Sequence, residues 1–447
     1  MLFILWISIP FIFLFSWVAL ARGRVLRHVG SLHFLIYFVA IYIGSLSLYE
    51  EKGGGNDTFI WSVMAYPILA LVGMLIARAV VPRGPFRVMV SNLSSAPIER
   101  RITYQLLTFF SILLGVYLVL LGSRIPLYVQ ITQGVEAAQV ARFLATKGYK
   151  EAFGDIGLIV NFSRVFTDYF ALFLLIFEYC RARTREIGYW RLIVMALSLG
   201  FAAILFGERY PILKLITYFA FAIIVLRYKV FTFKLLLSLV FCGALVIPLV
   251  GLVHALTNLR VELLEVLSVD DVIALFGWSW QVFSDRAFIG QLLPLYQTFD
   301  QIPGTYDFFG GRTLSNPRQI FPYEQVNLPF LIYDTYLDSG SEIQGSDPTV
   351  FFAEVYANFG SFVSFTVMIL AGFVMQIVDS VLSQKIDARY SIYFVALHFM
   401  IMVYIADFAI SFTTIYFDYR FFFLLLLYFL PGFTVLLKRK FQPPASA

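Results

Sequence analysis

Apolar residues come in long blocks along this chain, each close to the ~20 residues that a helix needs to cross ~30 Å of hydrocarbon. Short polar stretches separate them. The blocks lie at residues 2–20, 31–48, 58–79, 102–122, 164–180, 190–206, 211–226, 235–253, 349–377, 391–411 and 420–437. They predict about eleven transmembrane helices, within a range of roughly 10–14. The expected fold class is all-α, a single polytopic membrane domain over 1–447. The first block lacks a basic leading segment and a cleavage site before Arg22, so it is expected to remain as a helix. Two longer segments, 123–163 and 254–348, interrupt the pattern, and connections of that length usually serve function. Within the second, residues 271–299 mix Trp278 and Trp280 with polar positions, as in a short interfacial helix.

Composition agrees with the block pattern. Of 447 residues, 60% are hydrophobic and 14% charged, against about 45–50% and ~25% in soluble domains. A soluble enzyme, a DNA-binding module and a disordered scaffold are excluded, and no nucleic-acid partner is expected. Cys180 and Cys242 both sit in apolar stretches, so no disulfide framework can be read from them.

The net charge of +5 matters through its placement. Lys and Arg accumulate in alternate short loops: Arg22, Arg24 and Arg27; Arg83, Arg87, Arg100 and Arg101; Arg181, Arg183, Arg185 and Arg191; Arg227, Lys229 and Lys234; Lys385 and Arg389; and Lys438, Arg439 and Lys440. These loops are expected to face the cytoplasm. The amino terminus is then outside, the carboxyl terminus inside, and both long segments outside. The inner loops are short and carry no Gly-rich phosphate loop, so no nucleotide is expected there. His28, His33, His254 and His398 include no pair with metal-ligand spacing, and neither metal nor cofactor is expected.

Candidate chemistry gathers on the outer side. The segment 254–348 carries many acids but only Arg260, Arg286, Arg312 and Arg318 as cations, with no lysine. A guanidinium presents a planar fork matched to phosphate and carboxylate. Two readings stand: an anion site, or arginines paired with neighbouring acids as loop scaffolding. Gly310-Gly311-Arg312 and Asn316-Pro317-Arg318 are turn signals that place these two arginines on loops. Tyr306, Phe308, Phe309 and Tyr323 surround them, suited either to sugar stacking or to an interfacial belt.

Arg209 stands in the turn Gly207-Glu208-Arg209 between two apolar blocks, where a cation at membrane depth needs a partner or a polar cavity. Ser346-Asp347-Pro348-Thr349 predicts a helix start, with Asp347 as cap and Pro348 in the first turn. On the following helix, 349–377, Glu354, Asn358 and Ser361 recur at helical spacing and define one polar stripe. Such a stripe should face protein or water; polar packing against a neighbouring helix is the alternative. Asp407, Asp418 and Arg420 add polarity near the same end.

Together, Gly207-Glu208-Arg209, Ser284-Asp285-Arg286, Gly311-Arg312 and above all Pro348 to Gly360 (PTVFFAEVYANFG) resemble the Wzy-type oligosaccharide repeat-unit polymerases of bacterial surface polysaccharide pathways. The resemblance implies a membrane architecture like the GT-C-type polymerases and ligases. It implies transfer of a growing chain between undecaprenyl-pyrophosphate-linked oligosaccharides on the periplasmic face of the inner membrane. A chain-length co-polymerase partner is implied as well. On this basis Arg209 and Arg286 are expected to stabilise leaving-group charge, and Glu354 to act as general base. Arg312, Arg318, Tyr356, Asn358, Asp347 and Glu324 are expected substrate-binding residues, the last two also being further candidates for the base. Three alternatives remain open: an O-antigen ligase, although only His254 stands in the large outer segment; a metal-dependent polyprenyl-phosphate glycosyltransferase, with Glu50 and Glu51 as its acids; and a transporter, for which internal repeats and broken helices would be the signs.

Overall fold

The computed structural model describes residues 2–82, 84–146, 156–205, 209–228, 232, 234, 237, 277, 292–314, 322–337, 350–409 and 419–441. These residues are helical with short turns. Among them there is no named strand, and Ser94 and Ser391 form an isolated bridge. The helices are α1 (Leu2–Leu20), α2 (Ser31–Glu51), α3 (Asp57–Val80), α4 (Pro97–Leu121), α5 (Pro126–Gln133), α6 (Val135–Thr146), α7 (Gly157–Val165), α8 (Ala171–Arg183), α9 (Tyr189–Leu205) and α10 (Arg209–Arg227). After them come α11 (Leu292–Gln301), α12 (Leu328–Leu337), α13 (Phe351–Arg389), α14 (Ile392–Asp407) and α15 (Tyr419–Phe441). Single π-turns, Phe38–Tyr42 inside α2 and Phe166–Phe170 between α7 and α8, mark local slips of the backbone ladder.

Among the described residues, five helices are long and apolar enough to cross a membrane: Leu2–Leu20, Ser31–Glu51, Asp57–Val80, Pro97–Gln133 and Phe351–Arg389. Tyr189–Leu205, Ile392–Asp407 and Arg420–Thr434 are apolar but shorter. The block 164–180 is divided between α7, the π-turn and α8, 211–226 falls in α10, and 235–253 lies outside the described residues except for residue 237. Alongside a buried apolar core, large apolar side chains lie on the surface and charged groups lie inside. Phe3, Ile4, Phe11 and Phe15 of α1, Val119 of α4 and Trp190 of α9 are exposed, while Arg27, His33, Glu178 and Asp379 are buried. Apolar surfaces turned outward over buried polar groups are the composition of a membrane protein.

By contacts the chain falls into two units. The first comprises Met1–Arg87, Ser284–Lys385 and Ile401–Phe421, and the second Val88–Phe283, Ile386–Met400 and Phe422–Ala447. In the first, Asn56 Oδ1 accepts from the amide of Phe59 at 3.0 Å and caps α3, with Asp57 adding negative charge to its first turn. Phe13 and Trp17 of α1 pack on Phe34 of α2 at ring-centroid distances of 4.6 and 5.2 Å. The loop after α1 is tied to α13: the amide of Val29 donates to Asp379 at 3.0 Å, and His28 Nε2 lies 3.3 Å from Gln376 Oε1. Since His28 Nδ1 accepts from the amide of Gly30, Nε2 carries the proton and donates to Gln376.

α13 meets α3 almost backbone to backbone. An ideal Cβ on Gly372 would stand 1.9 Å from the carbonyl oxygen of Ala70, and one on Gly73 would stand 1.9 Å from that of Ile369. Small residues at a helix crossing allow the close approach that dispersion requires when lipid offers no hydrophobic drive.

In the second unit, Glu99 accepts from the amide of Ala96 at 3.2 Å and from Ser391 at 2.7 Å, and so fixes the start of α4. Phe110 of α4 packs on Phe166, Phe170 and Phe423. Tyr393 donates to the carbonyl of Leu427 at 2.8 Å.

Candidate functional site

The expected straight helix over 349–377 is broken. Gly360 has φ +78° and ψ −175°, outside helical space. Ser364 Oγ donates to the carbonyl oxygen of Phe352 at 2.8 Å. In a straight helix residues twelve apart would be separated by about 18 Å, so α13 doubles back at Gly360. Its short arm, 351–359, lies against the start of its long arm. A left-handed φ strains any L side chain there, and a Cβ on Gly360 would also touch the ring of Phe308 at 3.5 Å.

The short arm climbs along α3. Phe351 and Phe352 pack on Tyr66, in the middle of α3, at 5.3 and 5.4 Å. Tyr356, one turn further, packs on Phe299 at 4.4 Å, and Phe299 in turn lies by Phe59 at the Asp57 end of α3. The arm therefore runs from mid-depth to one end of the unit, and the long arm descends again. Gly360 also corrects the polar stripe. Glu354 and Asn358 share a buried face, 3% and 1% exposed, whereas Ser361 lies beyond the elbow and is not in register with them.

A break in a helix frees carbonyl groups that the next turn would have bonded. Here the loop after α11 takes them. The amides of Phe309 and Gly310 donate to the carbonyls of Ala357 and Asn358, each at 3.0 Å. The Asn358 side chain completes the attachment, its Oδ1 accepting from the amides of Gly311 at 2.9 Å and Thr313 at 3.3 Å. Asn358 Nδ2 donates to Thr313 Oγ1 and to the carbonyl of Glu354, and Thr313 Oγ1 donates to Glu354 Oε1 at 3.0 Å. Tyr356 holds the beginning of the loop through a 3.0 Å hydrogen bond to the carbonyl of Ile302.

Arg312 is carried on this loop and is exposed. Its Nε donates to the carbonyl of Phe309 at 3.2 Å, and the guanidinium carbon stands 5.9 Å from the Phe309 ring centre. Described ion pairs include those of Arg181, Arg191 and Arg420, and none is described for Arg312. Of the two readings open for this arginine, scaffold pairing has no described acid to support it. Phe308, Phe359 and Phe362 are exposed around the elbow, Phe362 at 83%. Glu324 is exposed in the stretch following, where the amide of Val326 donates to the carbonyl of Arg312 at 2.8 Å.

The structure thus brings together Arg312, Glu354, Tyr356 and Asn358, with Glu324 nearby in the chain. Arg209 is the first residue of α10, in the second unit. Arg286, Arg318 and Asp347 lie outside the described residues, as do Pro348, His254 and Cys242. Asp407 is 3.9 Å from Arg420. Thr313 is the site residue that sequence reasoning missed. Its signal is weak: a hydroxyl directly after a Gly-Gly-Arg turn.

The arginines of the 181–191 loop also have a structural role. Arg181 bonds Glu178 at 3.2 Å and Glu186 at 3.0 Å, and Tyr104 bridges Glu178 and Arg181. The amide and hydroxyl of Ser95 both donate to Glu186. Partial burial pushes the Glu186 carboxyl upward, but the Ser95 and Arg181 hydrogen bonds outweigh it and hold the group below its ordinary value. A depressed carboxylate adds stability above its unfolded pKa of about 4.3 and loses it as pH falls through the folded value. In detergent, the Glu186 contribution to melting temperature should be constant above about pH 5 and be lost below it, so Glu186→Gln should flatten the acid limb. An acid limb unchanged in the variant would contradict the assignment.

No group of three His, Cys, Asp or Glu side chains able to hold a metal ion occurs among the described residues. No protein-family model, no curated protein and no solved structure matches the chain.

Proposed function

We propose that the chain is a glycosyltransferase of bacterial surface polysaccharide synthesis, polymerising undecaprenyl-pyrophosphate-linked oligosaccharide repeat units on the periplasmic side of the inner membrane. The observation that carries this reading is Arg312: an exposed guanidinium without a described acidic partner, on a loop bonded along its backbone to a folded-back helix. A cation fixed in advance, beside exposed aromatic rings, suits an anionic lipid that carries sugars. The segment 350–360 that forms the elbow is also the segment of sharpest resemblance to the polymerases.

In the reaction, an acceptor hydroxyl oxygen bonds to the anomeric carbon of the growing chain while the bond from that carbon to the pyrophosphate oxygen breaks. The hydroxyl proton passes to solvent or to the leaving group. Undecaprenyl pyrophosphate departs with the bonding pair, its charge held by Arg312. The energy is already in the glycosyl pyrophosphate bond, so the reading asks for no nucleotide, metal or cofactor. A chain-length co-polymerase is the expected protein partner, with the amino terminus periplasmic and the carboxyl terminus cytoplasmic.

One observation favours a second reading. A helix broken at Gly360, with its short arm running beside α3 from the middle of that helix to one end and its long arm descending again, resembles the broken helices that line a carrier's substrate path. Deleting the gene separates the possibilities. Loss of a polymerase leaves single repeat units capped on lipid A. Loss of a ligase leaves none there, while polymer accumulates on the carrier lipid. Loss of a carrier leaves lipid-linked units on the cytoplasmic leaflet, and either of the last two patterns would overturn the polymerase reading.

A further inference from the structure

Glu354 has the residue type of a general base, but its surroundings assign it other work. Its described hydrogen bond is the one it accepts from Thr313, and at 3% exposure it lies under the loop rather than on it. The bonds around it have one direction. Asn358 Nδ2, which can only donate, gives to Thr313 Oγ1, and the hydroxyl then gives its single proton to Glu354. At the other end of the carboxamide, Asn358 Oδ1 receives two amides of the loop, Gly311 and Thr313. Arg312 is the residue between those two amides. Its backbone is thus gripped on both sides by one buried side chain, whose orientation is set in turn by the hydroxyl and the carboxylate.

We infer that Asn358, Thr313 and Glu354 are positioning residues, a one-way hydrogen-bond relay that holds the Gly311–Thr313 turn so that Arg312 is presented to an anionic group of the substrate. The identity of that group rests on the reading above, whereas the relay does not depend on it. Each member has a defined requirement. Position 313 needs a hydroxyl, because only a group that both accepts and donates can link the amide to the carboxylate. Position 354 needs an acceptor but no charge. Position 358 needs an acceptor for two loop amides and two donated protons for Thr313 and the Glu354 carbonyl, a set that a carboxamide supplies and a hydroxyl does not.

Two measurements on the full-length protein in detergent or nanodiscs test this. The first is amide hydrogen exchange over 309–314. Thr313→Val should raise exchange at Gly311 and Thr313 by about tenfold, the scale of one buried hydrogen bond, and Thr313→Ser should restore protection. The second is polymer formation from purified lipid-linked repeat units. Thr313→Val should raise KM for the pyrophosphate-linked donor more than it lowers kcat, and Glu354→Gln should lose much less activity than Glu354→Ala, since glutamine keeps an acceptor for Thr313. Unchanged exchange in Thr313→Val overturns the relay. Equal loss in Glu354→Gln and Glu354→Ala, with exchange protected in the former, overturns the positioning role and returns Glu354 to acid–base work. Should the unaltered chain make no polymer, the functional reading fails, while the exchange experiment still decides the relay. Thr313→Ser and Glu354→Gln preserve the bonded geometry, so the test does not depend on Thr313→Val folding well.

Discussion

Gly372→Ala protein is expected to unfold at a markedly lower temperature than the unaltered chain, and to accumulate poorly in the membrane. The added methyl would stand 1.9 Å from the carbonyl oxygen of Ala70, 2.6 Å from its carbon and 2.7 Å from its Cα. All three are backbone atoms, so no rotamer change can relieve the clash. The long arm of α13 and α3 must move apart by at least about 1 Å along their crossing, and overpacking of that kind costs about 1–3 kcal/mol, here at the upper end. The separation also weakens dispersion along the neighbouring turns, which holds helices together where lipid is as apolar as the side chains. Gly115→Ala is the control. Its Cβ would meet nothing within 4 Å, and inside α4 alanine is the better helix former by about 1 kcal/mol. Melting curves by intrinsic fluorescence in one detergent compare the two, and a Gly372→Ala midpoint no lower than that of Gly115→Ala would refute the close crossing.

The second large effect concerns Arg312. On the proposed polymerase reading, polymer formation by Arg312→Ala protein is expected to fall by about 10²–10³, the usual cost of removing one preorganised donor from developing negative charge. Arg312→Lys should recover little of it. Lysine is a hydrated point charge without the planar fork, and its ammonium cannot keep both the bond that Nε makes to the Phe309 carbonyl and a contact with substrate. The side chain is exposed, so stability should change little and expression levels provide a fair comparison. Initial rates at matched protein amounts give the measure. A rate for Arg312→Ala within about threefold of the unaltered chain, the range of an ordinary surface substitution, would remove Arg312 from the charge-stabilising role.

Much of this was legible in the order of residues. The apolar blocks at 2–20, 31–48 and 58–79 correspond to α1, α2 and α3 within a few residues, because hydropathy reports on insertion and insertion is local. The spacing of Glu354 and Asn358 correctly put them on one face. What the spacing missed is Gly360. Both arms of α13 are apolar, so periodicity continues through the elbow, and only the backbone freedom of one glycine marks the reversal. The partner of that polar face was hidden for a different reason. Thr313 lies 41 residues before Glu354 and 45 before Asn358, and no local pattern links a loop hydroxyl to a helix so far along the chain. Charge counting likewise assigned Arg181 and Arg191 to a cytoplasmic loop without revealing Glu178, a buried acid inside an apolar block that Arg181 bonds at 3.2 Å and Arg191 approaches to 3.8 Å.

The elbow at Gly360 bears on how the chain enters the bilayer. Residues 351–389 read to the insertion machinery as a single long apolar segment, yet its first nine residues fold back against the rest at Gly360. Reporter fusions ending between 351 and 360 would therefore sample an arm that has not yet acquired its return, and would assign a face by the truncated end rather than by the finished fold. The loop that captures the arm, 309–313, precedes it in the chain and is synthesised first. The residues that bond the reversal are thus made before the arm they hold.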